Sequence, residues 1–171
     1  MMRHRSLAGR VALAALLLGG VTRIARAQDE GLALGTRAPV VRVHDLDGKM
    51  VDLGRSIGHR AVLLEFWATW CPLCEELLPR VKAAHAAFGR DVDFYGVNVT
   101  VNQTPARVRR YVESHQPPFR TLYDDEGTST RAYRVPTTSY VVVIDRAGSI
   151  VYTGTGGSQD LEAVLRRVTA P

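Results

Sequence analysis

The chain has 171 residues, 46% of them hydrophobic, and a formal net charge of +5. That length suits one domain with one sizeable core. The five arginines of residues 1–27, a stretch without an acid, account for the whole charge excess, so the high pI is no sign of a nucleic-acid partner.

Residues 1–27 read as a secretory leader. Arg3, Arg5 and Arg10 make a basic start, residues 11–21 are apolar, and Ala25-Arg26-Ala27 is a small-residue cleavage signal. The apolar run is too short to span a bilayer. Export to the periplasm with cleavage after Ala27 is expected, leaving residues 28–171 as a single domain. Arg23 and Arg26, unusual after an apolar run, keep an uncleaved peripheral anchor as the alternative.

The remaining elements follow in order. Residues 40–52 predict a hairpin turning at Asp45-Leu46-Asp47-Gly48. Residues 61–66 are apolar apart from Glu65 and predict a buried strand. A helix is predicted over 72–88, with Leu77, Leu78, Val81, Ala84 and Phe88 on its apolar side and Gly89 ending it. A strand over 91–98 precedes a helix capped by Thr104-Pro105 and stopped by Gln116-Pro117-Pro118. A short strand over 119–123 leads to Asp124-Asp125-Glu126-Gly127, read as a solvated turn, then one helical turn over 128–133. A second hairpin, 139–144 with 149–153, and a helix over 161–168 close the chain. Strand–helix–strand followed by hairpin and helix predicts an α/β fold with a central mixed sheet flanked by helices.

The chemistry points to Cys71-Pro72-Leu73-Cys74, which holds both cysteines of the chain. Cysteines at i and i+3 on a first helical turn share a face and lie close enough to bridge. Pro72 suits the first helical position, where its missing N–H costs nothing. Cys71 then sits at the helix N-terminus, where unpaired N–H groups and the dipole favour a thiolate. This order makes Cys71 the nucleophile and Cys74 the resolving thiol. Two cysteines supply only half of a usual zinc set, and a four-residue loop removes little unfolded-chain entropy, so a metal site and a purely structural bridge are the weaker readings.

Glu65-Phe66-Trp67-Ala68-Thr69-Trp70-Cys71-Pro72-Leu73-Cys74 resembles the active-site region of thioredoxin-like proteins, most closely the exported TlpA/ResA-type thiol–disulfide oxidoreductases. Pro79 falls where thioredoxins carry a helix-kinking proline, and Val135-Pro136-Thr137-Thr138 resembles the segment holding the family's cis-proline. The resemblance implies the thioredoxin fold, with an N-terminal β-hairpin extension and a helix–strand insertion over 100–133. It implies a dithiol that exchanges with disulfides or thiols of protein substrates, with no cofactor, and a membrane-bound electron donor that re-reduces it. It also implies that a cis Pro136 faces the cysteine pair and exposes the Val135 backbone to substrate. Trp70, Pro72 and Leu73 are expected beside the substrate, Trp67 partly buried, and the protein monomeric.

Two departures bear on the direction of exchange. The motif interior is Pro-Leu, without the histidine of the oxidant DsbA, and Glu75-Glu76 follows where thioredoxins usually carry a lysine. Ala68 stands where a peroxiredoxin needs threonine, which argues against peroxidase chemistry. Glu65 is the most telling residue outside the cysteines: an acid in an apolar strand carries a cost unless paired or protonated, and burial raises its pKa, which suits it to relay the proton of Cys74. The plainer alternative has Glu65 facing solvent or an arginine. The function expected is reduction of partner-protein disulfides, such as apocytochrome c or copper-site cysteines. The alternatives are a DsbA-type oxidant and a copper-binding assembly factor using Cys71, Cys74 and a histidine.

Overall fold

The structure, a computed structural model, describes residues 31–170; the leader, its cleavage site and the anchor alternative lie outside them. Seven strands form one sheet: β1 (Arg42–Asp45), β2 (Met50–Asp52), β3 (Ala61–Trp67), β4 (Val92–Val99), β5 (Arg120–Asp124), β6 (Tyr140–Ile144) and β7 (Ile150–Thr155). Their spatial order is β2-β1-β5-β4-β3-β6-β7. The central strands β3, β4 and β5 run parallel, and the pairs on either side are antiparallel. Four helices complete it: α1 (Pro72–Phe88), α2 (Pro105–His115), α3 (Thr128–Ala132) and α4 (Leu161–Thr169). This is the mixed-sheet architecture that the sequence pattern predicts, with the hairpin extension and the inserted helix–strand that the resemblance implies.

Every residue of β3 is buried, as a strand covered on both faces must be. Side chains alternate along it. Val62, Leu64 and Phe66 join Leu53, Tyr133, Tyr140 and Ile144 in one core. Ala61 and Leu63 join Leu77, Val81 and Ala84 of α1 and Leu161 and Leu165 of α4 in the other. At the end of β3 this second face continues into a cluster of Trp67, Ala68, Cys71, Cys74 and Val108, flanked by Tyr111 and Phe119. The sheet thus delivers the cysteine motif at the C-terminal edge of the parallel strand β3.

The ends of the helices refine the sequence reading. Thr104 caps α2 through its side chain, and Gln116 closes it in the left-handed region (φ 47). Gly89 does end α1, but with right-handed φ −62; glycine is needed there for close approach, since a Cβ would lie 2.7 Å from the His85 carbonyl oxygen. Asp124 overturns the solvated-turn reading. It is 2% exposed, and its carboxylate accepts from the Ser129 and Thr130 N–H groups and the Thr130 hydroxyl at the start of α3. The N-cap position of α3 is Gly127, which has no side chain to offer, so the acid three residues earlier does the capping.

Candidate active site

Cys71 and Cys74 form a disulfide with their Cα atoms 5.3 Å apart, within the usual range for a bridge. Cys71 is the N-cap of α1 in extended geometry, and Pro72 opens the helix. The Cys71 sulfur accepts a hydrogen bond from the Cys74 N–H at 3.1 Å. This N–H of the helix's first turn also bonds the Cys71 carbonyl at 3.1 Å, and its direction toward the sulfur favours a thiolate there once the bridge is reduced. Both cysteines are nearly buried, at 4% and 3% exposure, whereas Trp70 and Leu73 beside them stand about half exposed. Pro72 is exposed as well.

The approach to Cys71 is held by two amide side chains that sequence reasoning did not single out. Asn98 Nδ2 donates to the Trp67 carbonyl at 3.3 Å. Gln103 Oε1 accepts from the Thr69 N–H at 3.1 Å. The Trp70 indole N–H donates to the Val101 carbonyl at 2.8 Å. Together these tie the strand-to-helix connection to the end of β4 and the loop that follows. The signal lay in a polar Asn inside a strand pattern, but its meaning depends on the Trp67–Asn98 register, which local sequence does not show. Trp67 itself corrects an expectation: it is 1% exposed, packed between Tyr111 and Phe119 at ring distances of 5.1 and 5.7 Å.

Glu65 lies two residues before Trp67 on the same face of β3, between the α1 core and the cysteine cluster. It is 2% exposed, and its Oε2 has no hydrogen-bond partner among the described residues. Burial pushes its pKa up to about 8, the direction desolvation imposes on a carboxyl group. The solvent-facing and arginine-paired readings of this residue therefore fail. Its register partners are Gly96 on β4 and Val141 on β6. The Phe119 ring fills the space where a Gly96 side chain would stand. The Tyr111 hydroxyl is pushed up to about 12 by its own burial first, then by the negative charge of Glu75 and Glu65.

The segment after α3 is adjacent to the motif but differs from the expected form. Ser139 Oγ donates to the Leu73 carbonyl at 3.2 Å, joining the start of β6 to the first turn of α1. The bond before Pro136 is trans, as are all the described peptide bonds, so the cis-proline expectation is corrected. Trans is the isomer favoured by about 0.5–1 kcal/mol for X–Pro, and the chain reverses here through left-handed Arg134 (φ 49) and Ser139 (φ 59) instead. The Val135 N–H is already bonded to the Thr130 carbonyl at 3.0 Å. Among the described residues no group of three or more His, Cys, Asp or Glu side chains is placed to hold a metal, and no helix is long and apolar enough to cross a membrane.

A family model described as Redoxin matches residues 33–167. The thiol-disulfide oxidoreductase ResA of Bacillus thuringiensis subsp. konkukian is 25% identical over 83% of this chain and 82% of its own length. The methylamine utilization protein MauD of Methylophilus methylotrophus is 32% identical over 84% of this chain and 71% of its own. Among solved structures, the thioredoxin domain of a thiol-disulfide oxidoreductase from Bacteroides vulgatus shares the fold with a TM-score of 0.70 at 23% identity, covering 81% of this chain and 99% of that one. A thioredoxin-family thiol:disulfide interchange protein from Chlorobium tepidum shares it with a TM-score of 0.67 at 22% identity, covering 81% and 99%. A disulfide at the start of α1, on this sheet and with these relatives, leads to one conclusion: the chain belongs to the Redoxin family and is a thioredoxin-fold thiol–disulfide oxidoreductase.

Proposed function

We propose that the protein is exported and reduces disulfides of partner proteins, with Cys71 as nucleophile, Cys74 as resolving thiol and Glu65 as the group that handles the resolving proton. The observation that carries this reading is the Cys74 N–H directed at the Cys71 sulfur, together with a buried carboxyl on β3, the strand that leads to the pair, whose Oε2 has no partner among the described residues. In the reduced protein the Cys71 thiolate attacks a substrate disulfide. A mixed disulfide forms and one substrate thiolate leaves. Glu65 takes the proton of Cys74, whose thiolate then attacks the Cys71 sulfur, breaking the mixed disulfide and releasing the second substrate thiolate. Two electrons pass to the substrate, and the Cys71–Cys74 bridge remains. A carboxyl group titrating near 8 is close to an ordinary thiol's pKa of about 8.5, so the transfer is nearly balanced in energy.

The exposed Trp70 and Leu73 give the substrate an apolar rim, with Pro72 beside them. The Val135 carbonyl, whose own N–H is occupied, offers the substrate backbone an acceptor, with Pro136 next to it. Leu73 brings no donor or charge to the motif, and Glu75 in the first turn of α1 opposes a thiolate. Both favour a potential nearer thioredoxin's, about −270 mV, than DsbA's, about −120 mV. Turnover then requires a membrane-bound donor. The substrates proposed are cysteine pairs of apocytochrome c or of copper sites in extracytoplasmic proteins. Cys74→Ser is expected to accumulate mixed disulfides with partners and Cys71→Ser to accumulate none. Trapping by the Cys71→Ser protein alone reverses the assignment, and a potential near DsbA's makes the protein an oxidant.

A further inference from the structure

Among the described residues, Phe119 is the one side chain packed against both the α1 core and the cysteine cluster. Glu65 is the β3 residue lying where those two clusters meet. Its β4 neighbour in register is Gly96, and the Phe119 ring rests where a Gly96 side chain would be. Neighbouring strands are about 4.8 Å apart, so the ring stands one strand away from the carboxyl-bearing residue. Trp67, which leans on the same Phe119 ring at 5.7 Å, closes the cysteine side. On the β6 side the register partner is the fully buried Val141.

The absence of a side chain at Gly96 opens a gap in the sheet's surface directly beside an unpaired acid. Water in that gap would solvate the carboxylate and leave Glu65 an ordinary acid. Phe119 fills it with hydrocarbon. We propose that Phe119, seated on Gly96, is a positioning residue for the exchange reaction: it keeps water off the Glu65 carboxyl, so that the carboxylate, once formed, is basic enough to take the proton of Cys74. The Phe119 ring has no group that exchanges a proton or an electron pair. It acts through Glu65, and the inference rests on the reading of Glu65 given above. The other titratable groups facing this site are Cys71, Cys74 and Glu75 from α1, and Tyr111 from α2, whose hydroxyl feels both Glu65 and Glu75. His115, stacked on Tyr111 at 3.9 Å, is one ring further out. All of these are retained in the variants below, so a shift caused by changing residue 119 is not a shift of their charge.

The test titrates Glu65 directly by carbon-detected NMR of its carboxyl in the oxidised protein, and measures the rate of mixed-disulfide resolution against pH in the reduced one. Phe119→Ala is expected to lower the Glu65 midpoint by about one unit or more, as admitting water to a buried acid does. The pH at which resolution becomes fast should fall by the same amount. Phe119→Leu, which refills the gap with hydrocarbon, is expected to restore both to within about half a unit. A folded Phe119→Ala protein whose Glu65 midpoint is unmoved overturns the proposal. If Phe119→Ala does not fold, Phe119→Val takes its place, with a smaller downward shift expected and an unmoved midpoint again decisive against. A midpoint that moves while the pH profile of resolution stays fixed shows that Phe119 keeps water from Glu65, but overturns the assignment of Glu65 as the proton carrier and with it the positioning role of Phe119.

Discussion

Asp124 and Glu65 are equally hidden, each 2% exposed, yet they are built in opposite ways. Asp124 sits at the end of β5 with both carboxylate oxygens engaged by three donors at 2.6–3.0 Å. Glu65 sits in the middle of β3 with Oε2 bonded to nothing among the described residues. The first arrangement recovers in hydrogen bonds what desolvation takes away; the second leaves the cost standing and expresses it as a raised pKa. Burial therefore does not mark a working acid by itself. An acid met by donors keeps its charge and stabilises the fold, and one left without them keeps its proton to higher pH.

The largest effect expected from this contrast is in how stability depends on pH. Burial pushes the Glu65 pKa up to about 8 in the folded chain, against 4.5 for a free glutamate side chain. Between those values the folded chain holds a proton that the unfolded chain releases. Its stabilising effect is fully present below about pH 4.5 and is lost as pH rises toward 8, at up to about 1.4 kcal/mol per unit. Urea denaturation of the oxidised protein at pH 5, 6.5 and 8 should show that decline, and Glu65→Gln should remove it. An undiminished slope in Glu65→Gln would place the titrating group elsewhere.

Asp124→Ala comes next. It strips three donors at the start of α3, at a cost of about 3 kcal/mol, or a fall in melting temperature of roughly 6–12 °C for a domain of this size. Exchange activity per folded molecule should stay near the wild-type level. If that activity collapses while the fold survives, the two acids are not divided between structure and chemistry as argued. The smallest effect is that of Thr130→Val. It deletes the hydroxyl donor and keeps the backbone one, and calorimetry should register about 1 kcal/mol.

Much of this was legible in the sequence because it is local. The boundaries of α1 follow from Pro72 at its start and Gly89 after its end, and β3 from an unbroken apolar run. Glu65 stood out because its neighbours are Leu63, Leu64, Phe66 and Trp67. What sequence missed depends on register and on distant partners. Gly96 and Phe119 acquire meaning only once β4 is set beside β3, and Asn98 and Gln103 only once the β4–α2 loop meets the residues before Cys71. Asp124 read as a turn acid because the α3 donors it serves lie five and six residues on. The isomer at Pro136 was taken from the resemblance, while the chain here turns on left-handed Arg134 and Ser139.

The bridge joins the chain's two cysteines across a sequence separation of three. A loop that short hardly constrains the unfolded polypeptide, and no third thiol exists to pair wrongly. Folding and electron transfer therefore form a closed thermodynamic cycle with one almost inert side. Any difference in unfolding free energy between the oxidised and dithiol forms must reappear as a displacement of the couple's potential from that of an unstructured peptide, at about 30 mV for each 1.4 kcal/mol. Two denaturation curves, one for each oxidation state, therefore amount to an electrochemical measurement.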